Sequence, residues 1–175
     1  MKRLSYLFFR SILLFLLKVT PTSLLRVLIL KCAGAKVGKK CHVSKGLVVD
    51  FPWRLHIGNN VYLNKGVYLD CRGGVIVIGS NTDISESALV FTLSHNIWSK
   101  DFAVKKGDVT IGSRCWVCTR SIILPGTMLG EGAVLGANSV YSGKSEKNIL
   151  LQGVPAVVTR ALHEDRASSV RNSVL

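Results

Sequence analysis

The stretch that decides the fold is residues 111–141, which reads IGSRCW, VCTRSI, ILPGTM, LGEGAV, LGANSV and Y in blocks of six residues. Each full block opens with an aliphatic residue, and glycine stands second in three of them. A period of six fits neither the 3.6-residue repeat of a helix nor the 3.5-residue repeat of a coiled coil. It fits a short strand followed by a tight turn, with the opening residue directed inward. The stretch therefore predicts a solenoid in which each coil stacks its opening residues on those of its neighbours.

The six-residue repeat extends, with interruptions, over most of the chain. It begins loosely at Val37, shifts phase near Ile57 and again after Arg72, and fails after Tyr141. At 175 residues the chain is long enough for one domain with a sizeable core and short appendages. We predict an N-terminal helical segment over residues 1–33, the repeat domain over residues 34–160 and a short polar tail over residues 161–175.

One interruption is predicted to be a loop extruded from a corner of the solenoid. Its flanking openers, Val90 and Ile111, are 21 positions apart, three more than a coil of 18 residues. We assign the excess to residues 96–108, which include Trp98 and Phe102. Polar insertions lie at surfaces and often carry function.

The composition favours an aliphatic core and an anionic partner. Apolar residues make up 48% of the chain and aromatic residues 7%, and the net charge is +13 with a pI near 9.9. Such a charge fits nucleic acid, an acidic membrane surface or a polyphosphate cofactor. No basic stretch alternates with stacking aromatic residues, so nucleic acid is not expected as a partner.

The five cysteines indicate a reducing compartment, because their number is odd and their spacing forms no disulfide framework. Cys115 and Cys118 form a CxxC pair, a pattern that binds zinc or catalyses redox chemistry in other proteins. No second pair accompanies them, so we interpret both as small apolar residues within the repeat.

Residues 1–33 are predicted to form apolar, basic helices. Ten of the fourteen residues 4–17 are large and apolar, but basic residues interrupt them well short of the ~20 residues that span a bilayer. On a helix, Arg3, Arg10 and Lys18 share a face, as in helices that lie in an anionic membrane interface. The alternative is packing against the same subunit or a partner. With no signal-peptide cleavage site after Lys18, we expect a cytoplasmic protein, peripherally bound to the inner face of the cell membrane.

A set of motifs in a fixed order gives residues 37–160 a family resemblance. The motifs are Thr92-Leu93-Ser94-His95, the loop after it, Trp116, Leu124-Pro125-Gly126 and Gly153-Val154-Pro155-Ala156. In this order the chain resembles the hexapeptide-repeat acyltransferases, specifically their maltose/galactoside O-acetyltransferase branch. The resemblance implies an all-β solenoid, a left-handed parallel β-helix, although most strand crossovers in proteins are right-handed.

The resemblance also implies an activity. Enzymes of this family are homotrimers that transfer an acetyl group from acetyl-CoA to a hydroxyl, in clefts between neighbouring subunits. The implied co-substrate is acetyl-CoA, with no metal, and the implied acceptor is a sugar or oligosaccharide, free or lipid-linked. The chain looks most like sugar O-acetyltransferases of bacterial surface polysaccharide biosynthesis (O-antigen, capsule or exopolysaccharide). Transfer would be direct, so no cysteine is needed as a nucleophile.

On the acceptor side, the resemblance assigns His95 as the general base. A sugar hydroxyl is a poor nucleophile until a base takes its proton, and a histidine contributes about 10²–10⁴-fold to such a step. Asn64 is expected to contact the acceptor sugar, or else to fill an internal asparagine position of the solenoid. Asp70 is a second candidate, for acceptor binding or for orienting His95.

On the cofactor side, the resemblance places Trp116 beside the CoA arm and the backbone N–H of Thr119 opposite the thioester oxygen. One such donor stabilises a tetrahedral oxyanion by about 2.7–4 kcal/mol. Arg120, Lys144 and Arg160 are expected near the CoA phosphates, to which arginine binds in bidentate geometry. Alternatively, Trp116 caps an edge of the prism and the cations form a solvated face.

Two residues depart from the family pattern. Asn96 stands where the family usually has an aspartate, and Cys118 stands where it usually has a glycine. These departures leave open a catalytically silent trimer that serves as an assembly scaffold. A zinc hydratase of the same fold would need converging histidines, and His42, His56 and His95 share no evident register.

Overall fold

The computed structural model describes residues 2–163, and it places the side chains of residues 5–163. Two helices come first, α1 (Lys2–Val19) and α2 (Ser23–Cys32). The rest of that range contains a one-turn 3-10 helix (Pro52–Arg54) and 19 short strands. Most of the tail predicted over residues 161–175 lies outside the described residues.

Three sheets form the faces of a left-handed β-helix, which confirms the predicted fold class. In spatial order, face A contains β1 (Lys36–Val37), β4 (Leu55–Ile57), β7 (Ile76–Ile78), β12 (Val109–Ile111) and β15 (Met128–Leu129). Face B contains β2 (His42–Val43), β5 (Tyr62–Leu63), β8 (Asp83–Ile84), β13 (Trp116–Val117), β16 (Val134–Leu135), β18 (Ile149–Gly153) and the antiparallel β19 (Ala156–Ala161). Face C contains β3 (Val48–Asp50), β6 (Tyr68–Asp70), β9 (Leu89–Phe91), β14 (Ile122–Ile123) and β17 (Val140–Tyr141). The faces follow one another along the chain, so the corner between C and A lies opposite face B.

The interruption after face C is an antiparallel hairpin, β10 (Leu93–His95) and β11 (Val104–Lys106), and it is longer than predicted. Ile111 pairs with Leu129 across a regular coil of 18 positions, whereas Ile78 pairs with Ile111 across 33. The excess is therefore 15 residues and not three. The prediction compared Val90 with Ile111 as if they lay on the same face, but they lie on successive faces.

The opening residues of the repeat form the core, as predicted. Ile111, Val117, Ile123 and Leu135 are fully buried. In-register pairing sets Val117 between Ile84 of the preceding coil and Leu135 of the next. Burying one such side chain stabilises a protein by about 1.5–3 kcal/mol, so the repeat itself holds the solenoid together.

Helix α2 covers the open end of the first coil. An end strand exposes unpaired backbone groups to which another chain could pair. Here the Val43 N–H donates to Ser23 Oγ (2.8 Å), and the Val43 carbonyl accepts from Arg26 Nε (2.8 Å). Arg26 is buried and also donates from Nη1 to the Thr20 carbonyl (2.5 Å). Two polar side chains of α2 thus satisfy the edge that β2 presents.

Helix α1 turns one side towards the solenoid, and Arg10 lies on that side. Arg10 forms an ion pair with Asp50, whose side chain is only 3% exposed. Seven positions separate Arg10 from the fully buried Leu17, so the two side chains share the inward side of the helix. The prediction that Arg10 joins Arg3 and Lys18 at lipid headgroups is therefore wrong for Arg10, because a buried carboxylate requires a cation. The side chain of Arg3 lies outside the described residues.

The outward sides of both helices form an exposed apolar surface, which we call the apolar cap. Phe8 and Leu24 are its most exposed members, at 70% and 78%. Its residues are Leu7, Phe8, Ile12, Phe15, Leu16, Val19, Leu24, Leu25 and Leu28. The helices pack on their own subunit, as one predicted alternative has it, and still present this second apolar side. Neither described helix has both the length and the apolar content needed to cross a bilayer.

Candidate active site

His95 ends β10 in the hairpin that projects from the corner between faces C and A. Thr92 holds the base of this hairpin. Its Oγ1 accepts from the N–H groups of Gly73 (3.0 Å) and Gly74 (3.1 Å) and donates to the Asp70 carbonyl (2.6 Å). A Cβ at position 73 would lie 2.1 Å from the Thr92 carbonyl oxygen, so only glycine fits there. The turn of the preceding coil thus fixes where the hairpin begins.

One hydrogen bond inside the hairpin fixes the orientation of the His95 imidazole. Its Nδ1 lies 2.7 Å from the Phe102 carbonyl oxygen. A carbonyl only accepts, so Nδ1 carries the proton, and in the neutral ring Nε2 is then the unprotonated nitrogen. His95 is exposed, which leaves Nε2 open to a substrate hydroxyl. A general base needs such a nitrogen.

Ser99 and Asn96 hold the loop that presents the Phe102 carbonyl. Ser99 Oγ donates to the Asn96 carbonyl (2.9 Å) and accepts from the Ala103 N–H (2.6 Å). The Asn96 N–H donates to the Ala103 carbonyl (2.8 Å), and the Phe102 N–H donates to the Ser99 carbonyl (3.2 Å). Phe102 has a φ of 50°, a left-handed conformation that costs a residue with a Cβ about 1–2 kcal/mol. These hydrogen bonds hold a strained residue whose carbonyl faces His95.

A second group of polar side chains lies on face B. Trp116 Nε1 donates to Ser85 Oγ (2.8 Å), and the residue remains 37% exposed. Asn64 Nδ2 donates to Asp83 Oδ1 (2.8 Å) and to the Ile84 carbonyl (3.0 Å). These residues belong to β5, β8 and β13 or directly follow them, and those strands are neighbours. Asn64 and Trp116 are therefore about two strand spacings, or roughly 10 Å, apart.

The two groups lie on opposite sides of one chain. His95 projects from the corner between faces C and A, and Trp116 and Asn64 lie on face B, which is opposite that corner. One chain therefore carries the base and the expected cofactor residues but does not bring them together.

Comparisons with known proteins identify the family. The family model described as the hexapeptide repeat of succinyl-transferase matches residues 108–140. A putative colanic acid biosynthesis acetyltransferase of Escherichia coli K12, WcaF, is 33% identical over 135 residues, which cover 77% of this chain and 74% of that protein. The chain belongs to the hexapeptide-repeat acyltransferases.

Solved structures of the family share the fold. A maltose O-acetyltransferase from Clostridium difficile 630 is 25% identical, with a TM-score of 0.80, over 89% of this chain and 86% of that one. A hexapeptide-repeat acetyltransferase from Vibrio cholerae, complexed with acetyl coenzyme A, is 23% identical, with a TM-score of 0.81 and the same shares of each chain. As a member of this family the chain is an acyl-CoA-dependent acetyltransferase.

Asp70 is not accessible from the surface. It is fully buried, and Arg72 Nε and Nη2 cover its two carboxylate oxygens, each at 2.8 Å. An acceptor would have to displace Arg72 to reach it. Because its carbonyl accepts from Thr92 Oγ1, its placement favours support of the His95 hairpin, the other predicted role.

Thr119 and Arg120 form the turn that follows Trp116 and Val117. Thr119 takes the first place of this turn, as Pro125 does in the turn after the next strand. Within residues 2–163 no acceptor is found for the Thr119 N–H, so this donor is available. Arg120 follows with a φ of 57° and is exposed at the corner between faces B and C.

The other two predicted phosphate ligands lie farther along the solenoid. Arg160 is exposed on β19, at the C-terminal end of face B. Lys144 forms a single bridge with Met128 and so extends face A. The structure thus brings Trp116, Thr119, Arg120 and Arg160 to face B and its edge, whereas Lys144 lies on another face.

The two departures from the family pattern have different structural consequences. Asn96 Oδ1 accepts from the Trp98 N–H (3.1 Å), a bond that an aspartate in its place would also form. Cys118 is half-buried beside β13, where burial and then the charge of Asp83 raise the pKa of its thiol to about 11. At neutral pH it is therefore an uncharged thiol and a poor nucleophile.

Ser85, Asp83 and Ser99 were missed in the sequence. Ser85 follows the opener Ile84 as Asn64 follows Leu63, so an alignment of the blocks would have placed it beside Asn64. Asp83 precedes the same opener. Ser99 carried no such signal, because its bonds depend on the path of the loop.

The histidines lie on different parts of the described solenoid. His42 stacks on Tyr62 of face B, with 5.6 Å between ring centroids, and His56 lies on face A. His95 lies at the hairpin corner. Within the described part of the chain, no three His, Cys, Asp or Glu side chains form a group that could hold a metal ion.

Proposed function

We propose that the enzyme transfers an acetyl group from acetyl-CoA directly to a sugar hydroxyl of a bacterial surface polysaccharide. The observation that carries the proposal is the His95 imidazole, whose Nδ1–H is held by the Phe102 carbonyl so that Nε2 is the basic nitrogen. The relationship to a colanic acid biosynthesis acetyltransferase and a maltose O-acetyltransferase supports a sugar acceptor.

In this mechanism His95 Nε2 takes the hydroxyl proton as the hydroxyl oxygen attacks the thioester carbonyl. The tetrahedral oxyanion accepts a hydrogen bond from the Thr119 N–H, which is worth about 2.7–4 kcal/mol at such a site. The C–S bond then breaks, and the imidazolium returns the proton to the departing CoA sulfur. No protein thiol takes part, consistent with the raised pKa of Cys118.

The reaction requires two subunits. Because the hairpin corner is opposite face B, we infer that His95 of one subunit meets Trp116, Asn64 and Thr119 of a neighbour. Such a head-to-tail contact closes into a ring, and a homotrimer suits a three-sided prism. In this ring Asn64 contacts the acceptor sugar and Trp116 lies along the CoA arm.

The cationic residues of the C-terminal coils suit the CoA phosphates. Arg120 is one residue from Thr119, and Arg160 lies on the same face as Trp116. Guanidinium groups bind phosphate oxygens in bidentate geometry. Lys144 stays a predicted phosphate ligand, but it is a weaker candidate than Arg120 and Arg160 because it lies on face A.

We also propose that the apolar cap binds an anionic membrane surface on the cytoplasmic side. Residues 1–49 contain ten Lys and Arg and no Asp or Glu. Arg26 is buried and Arg10 is paired with Asp50, which leaves eight cations. An apolar surface with basic surroundings is the pattern of interfacial binding. The Phe8→Gln/Phe15→Gln double variant should lose binding to anionic vesicles, and Val157→Gln/Val158→Gln, at the other end of the solenoid, should keep it. Equal binding by the two double variants would exclude the cap as the membrane site.

The function is tested by release of free CoA from acetyl-CoA in the presence of candidate oligosaccharides. Mass spectrometry of the product should show an added acetyl group on the sugar. Calorimetry separates the alternative, a catalytically silent scaffold, because a scaffold would show no saturable binding of acetyl-CoA. Acetyl-CoA binding together with transfer only to amines or to water would overturn the proposed acceptor.

A further inference from the structure

One corner of the solenoid carries basic residues in its first two coils and in the hairpin of His95. We call this set, Arg54, Arg72, Lys105 and Lys106, the corner column. Arg54 lies at the corner in the first coil and Arg72 in the second. Lys105 and Lys106 belong to β11, which pairs with the strand of His95. Arg54 is half-buried and the other three are exposed.

Hydrogen bonds fix the two arginines of the corner column. Arg54 Nη1 donates to the carbonyls of Cys71 (3.4 Å) and Arg72 (3.0 Å). The same turn continues to Gly73, whose N–H donates to Thr92 Oγ1 at the base of the hairpin. The corner turns of the first and third coils are two strand spacings apart, so the hairpin begins roughly 10 Å above Arg54.

The acids at this corner leave donors unused on the arginines. Asp70 takes two of the five N–H groups of Arg72, whose side chain is still 47% exposed. Asp50 is buried and paired with Arg10. Asp108 Oδ1 accepts from the Val75 N–H (2.7 Å). Asp101, in the loop of the hairpin, is exposed as well. Below the hairpin, the solvent side of the column therefore carries the guanidinium donors of Arg54 and Arg72, whose geometry binds phosphate.

An apolar groove opens at the foot of the column. Trp53, directly before Arg54, is 45% exposed. The groove has a volume of about 390 Å³ and lies between α1, α2 and the 3-10 helix. It is lined by Ser5, Tyr6, Phe9, Cys32, Ala33 and Trp53. Apolar surface, cationic donors and the catalytic base thus follow one another along a single corner.

We propose that the corner column binds the diphosphate of a lipid-linked glycan. The first carbons of the lipid lie in the groove beside Trp53, the diphosphate lies at Arg54 and Arg72, and the acceptor hydroxyl lies at His95. The proposal rests on the proposed function of His95. About 5 Å separates Arg72 from the base of the hairpin, and His95 lies three strand residues beyond it, at most roughly another 10 Å. The acetylated sugar is therefore one of the first three after the diphosphate.

The test is calorimetric titration of the full chain, without acetyl-CoA, with a short-chain polyprenyl diphosphate disaccharide. The same disaccharide without the diphosphate is the comparison. Wild type should bind the diphosphate form at least about ten-fold more tightly, because charge-assisted hydrogen bonds are the strong ones. Arg54→Gln should lose about ten-fold of that affinity. Lys39→Gln, the same charge change at another corner of the first coil, should lose less than about two-fold.

A second variant tests Arg72 without leaving a buried charge unpaired. Asp70→Asn combined with Arg72→Gln removes the whole ion pair, and it should also lower the affinity for the diphosphate ligand. Cooperative thermal unfolding of this double variant would show that it is folded. A disaccharide bearing a uronic acid in place of the diphosphate should gain no affinity over the neutral sugar. Equal affinity for the diphosphate and free forms, an equal gain from the uronic acid, or a matching loss of acetyl-CoA affinity in Arg54→Gln would each overturn the proposal.

Transfer assays separate this proposal from the proposed function. Diphosphate-dependent binding without acetyl transfer would support the corner column as a binding site and contradict His95 as the general base. Acetyl transfer with no preference for the diphosphate form would support the proposed function and contradict the corner column as a binding site. With a lipid-linked tetrasaccharide, fragmentation should place the acetyl group on one of the first three sugars, and acetylation of the terminal sugar would contradict the column.

Discussion

The corner that carries His95 and the face that carries Trp116 are built by different means within one chain. At the corner, an exposed side chain is oriented by a backbone carbonyl, and loop residues hold that carbonyl in place. On face B, two-residue strands in strict register set the side chains, which bond one another directly, as Trp116 does with Ser85. The corner depends on the path of an insertion, whereas the face depends on the repeat.

This difference separates the part of the site that can vary with the acceptor from the part that strand spacing holds constant. Face B is tied to strand spacing, so changes there would disturb the coils above and below. The hairpin adds 15 positions to one coil without altering the register on either side. We infer that the hairpin and the corner below it are where the enzyme adapts to its acceptor, and that face B, apart from Asn64, serves the constant co-substrate.

The largest expected effect is at the corner. His95→Ala should lower kcat about 10²–10⁴-fold, the contribution of a general base, with little change in acetyl-CoA affinity. His163→Ala, at the far end of the described chain, is the matched control and should retain full activity. The rate of CoA release measures the activity of both variants. Equal rates for His95→Ala and wild type would show that His95 is not the general base.

A substitution outside both regions gives the baseline for stability. Arg10→Ala removes the partner of buried Asp50 and should lower the free energy of unfolding by about 2 kcal/mol. Burial alone would raise the pKa of Asp50, but hydrogen bonds from Arg10, Tyr68 and Tyr6 outweigh it and lower that pKa. The stabilisation is therefore complete above the usual pKa of 3.8 and is lost as pH falls through the lower folded-state value.

Urea unfolding of Arg10→Ala and wild type should therefore differ at pH 7 and converge in strong acid. Lys18→Ala, an exposed cation on the same helix, should show no such difference. A gap between Arg10→Ala and wild type that stayed constant with pH would exclude the Asp50 carboxylate as its source.

Positioning of the base predicts a smaller effect. Ser99→Ala should lower kcat about ten-fold and leave KM for acetyl-CoA unchanged, since the Phe102 carbonyl loses its support. Ser99→Thr, which keeps the hydroxyl, should recover most of the loss. Long-range ¹H–¹⁵N spectra of His95 should show the Nδ1–H tautomer in wild type and a mixture in Ser99→Ala. An unchanged tautomer with reduced activity would contradict a positioning role.

The smallest effect is expected on face B. Cys118→Gly should change kcat by less than about three-fold, because the thiol is neutral at working pH and takes no part in transfer. Iodoacetamide should label Cys118 slowly at pH 7, and rapid-quench experiments should show no acetylated cysteine. A burst of acetyl-enzyme would contradict direct transfer.

The face was more predictable from the sequence than the corner. Aliphatic residues at a fixed period are buried wherever a solenoid forms, so the openers Ile111, Val117 and Ile123 identified the core. The hairpin breaks that period, and its length was misjudged because a count of residues does not reveal which faces its ends join. The role of Ser99 could not be predicted from the repeat either, since its hydrogen bonds depend on the path of the folded loop.

The N-terminal helices show a further limit of periodicity. The spacing of Arg3, Arg10 and Lys18 indicated one basic face of a helix. A helical wheel does not reveal which side of the helix packs against the rest of the protein. Asp50 decides it, because a buried carboxylate some forty positions away requires the cation. Long-range pairing of this kind is absent from any local pattern.

The most direct test of the central claim, that His95 and face B of different subunits form one site, is complementation between two impaired variants. His95→Ala damages only the corner. Thr119→Pro removes only the N–H donor at the edge of face B, and its turn should tolerate proline because Pro125 takes the equivalent place in the next turn.

The two variants are mixed in equal amounts by denaturation and joint refolding, and the release of CoA is measured. Shared sites predict that about a quarter of all sites combine an intact corner with an intact face, so activity should rise to about a quarter of wild type. Activity no higher than the mean of the two separate variants would contradict the account, because each chain would then contain its whole site.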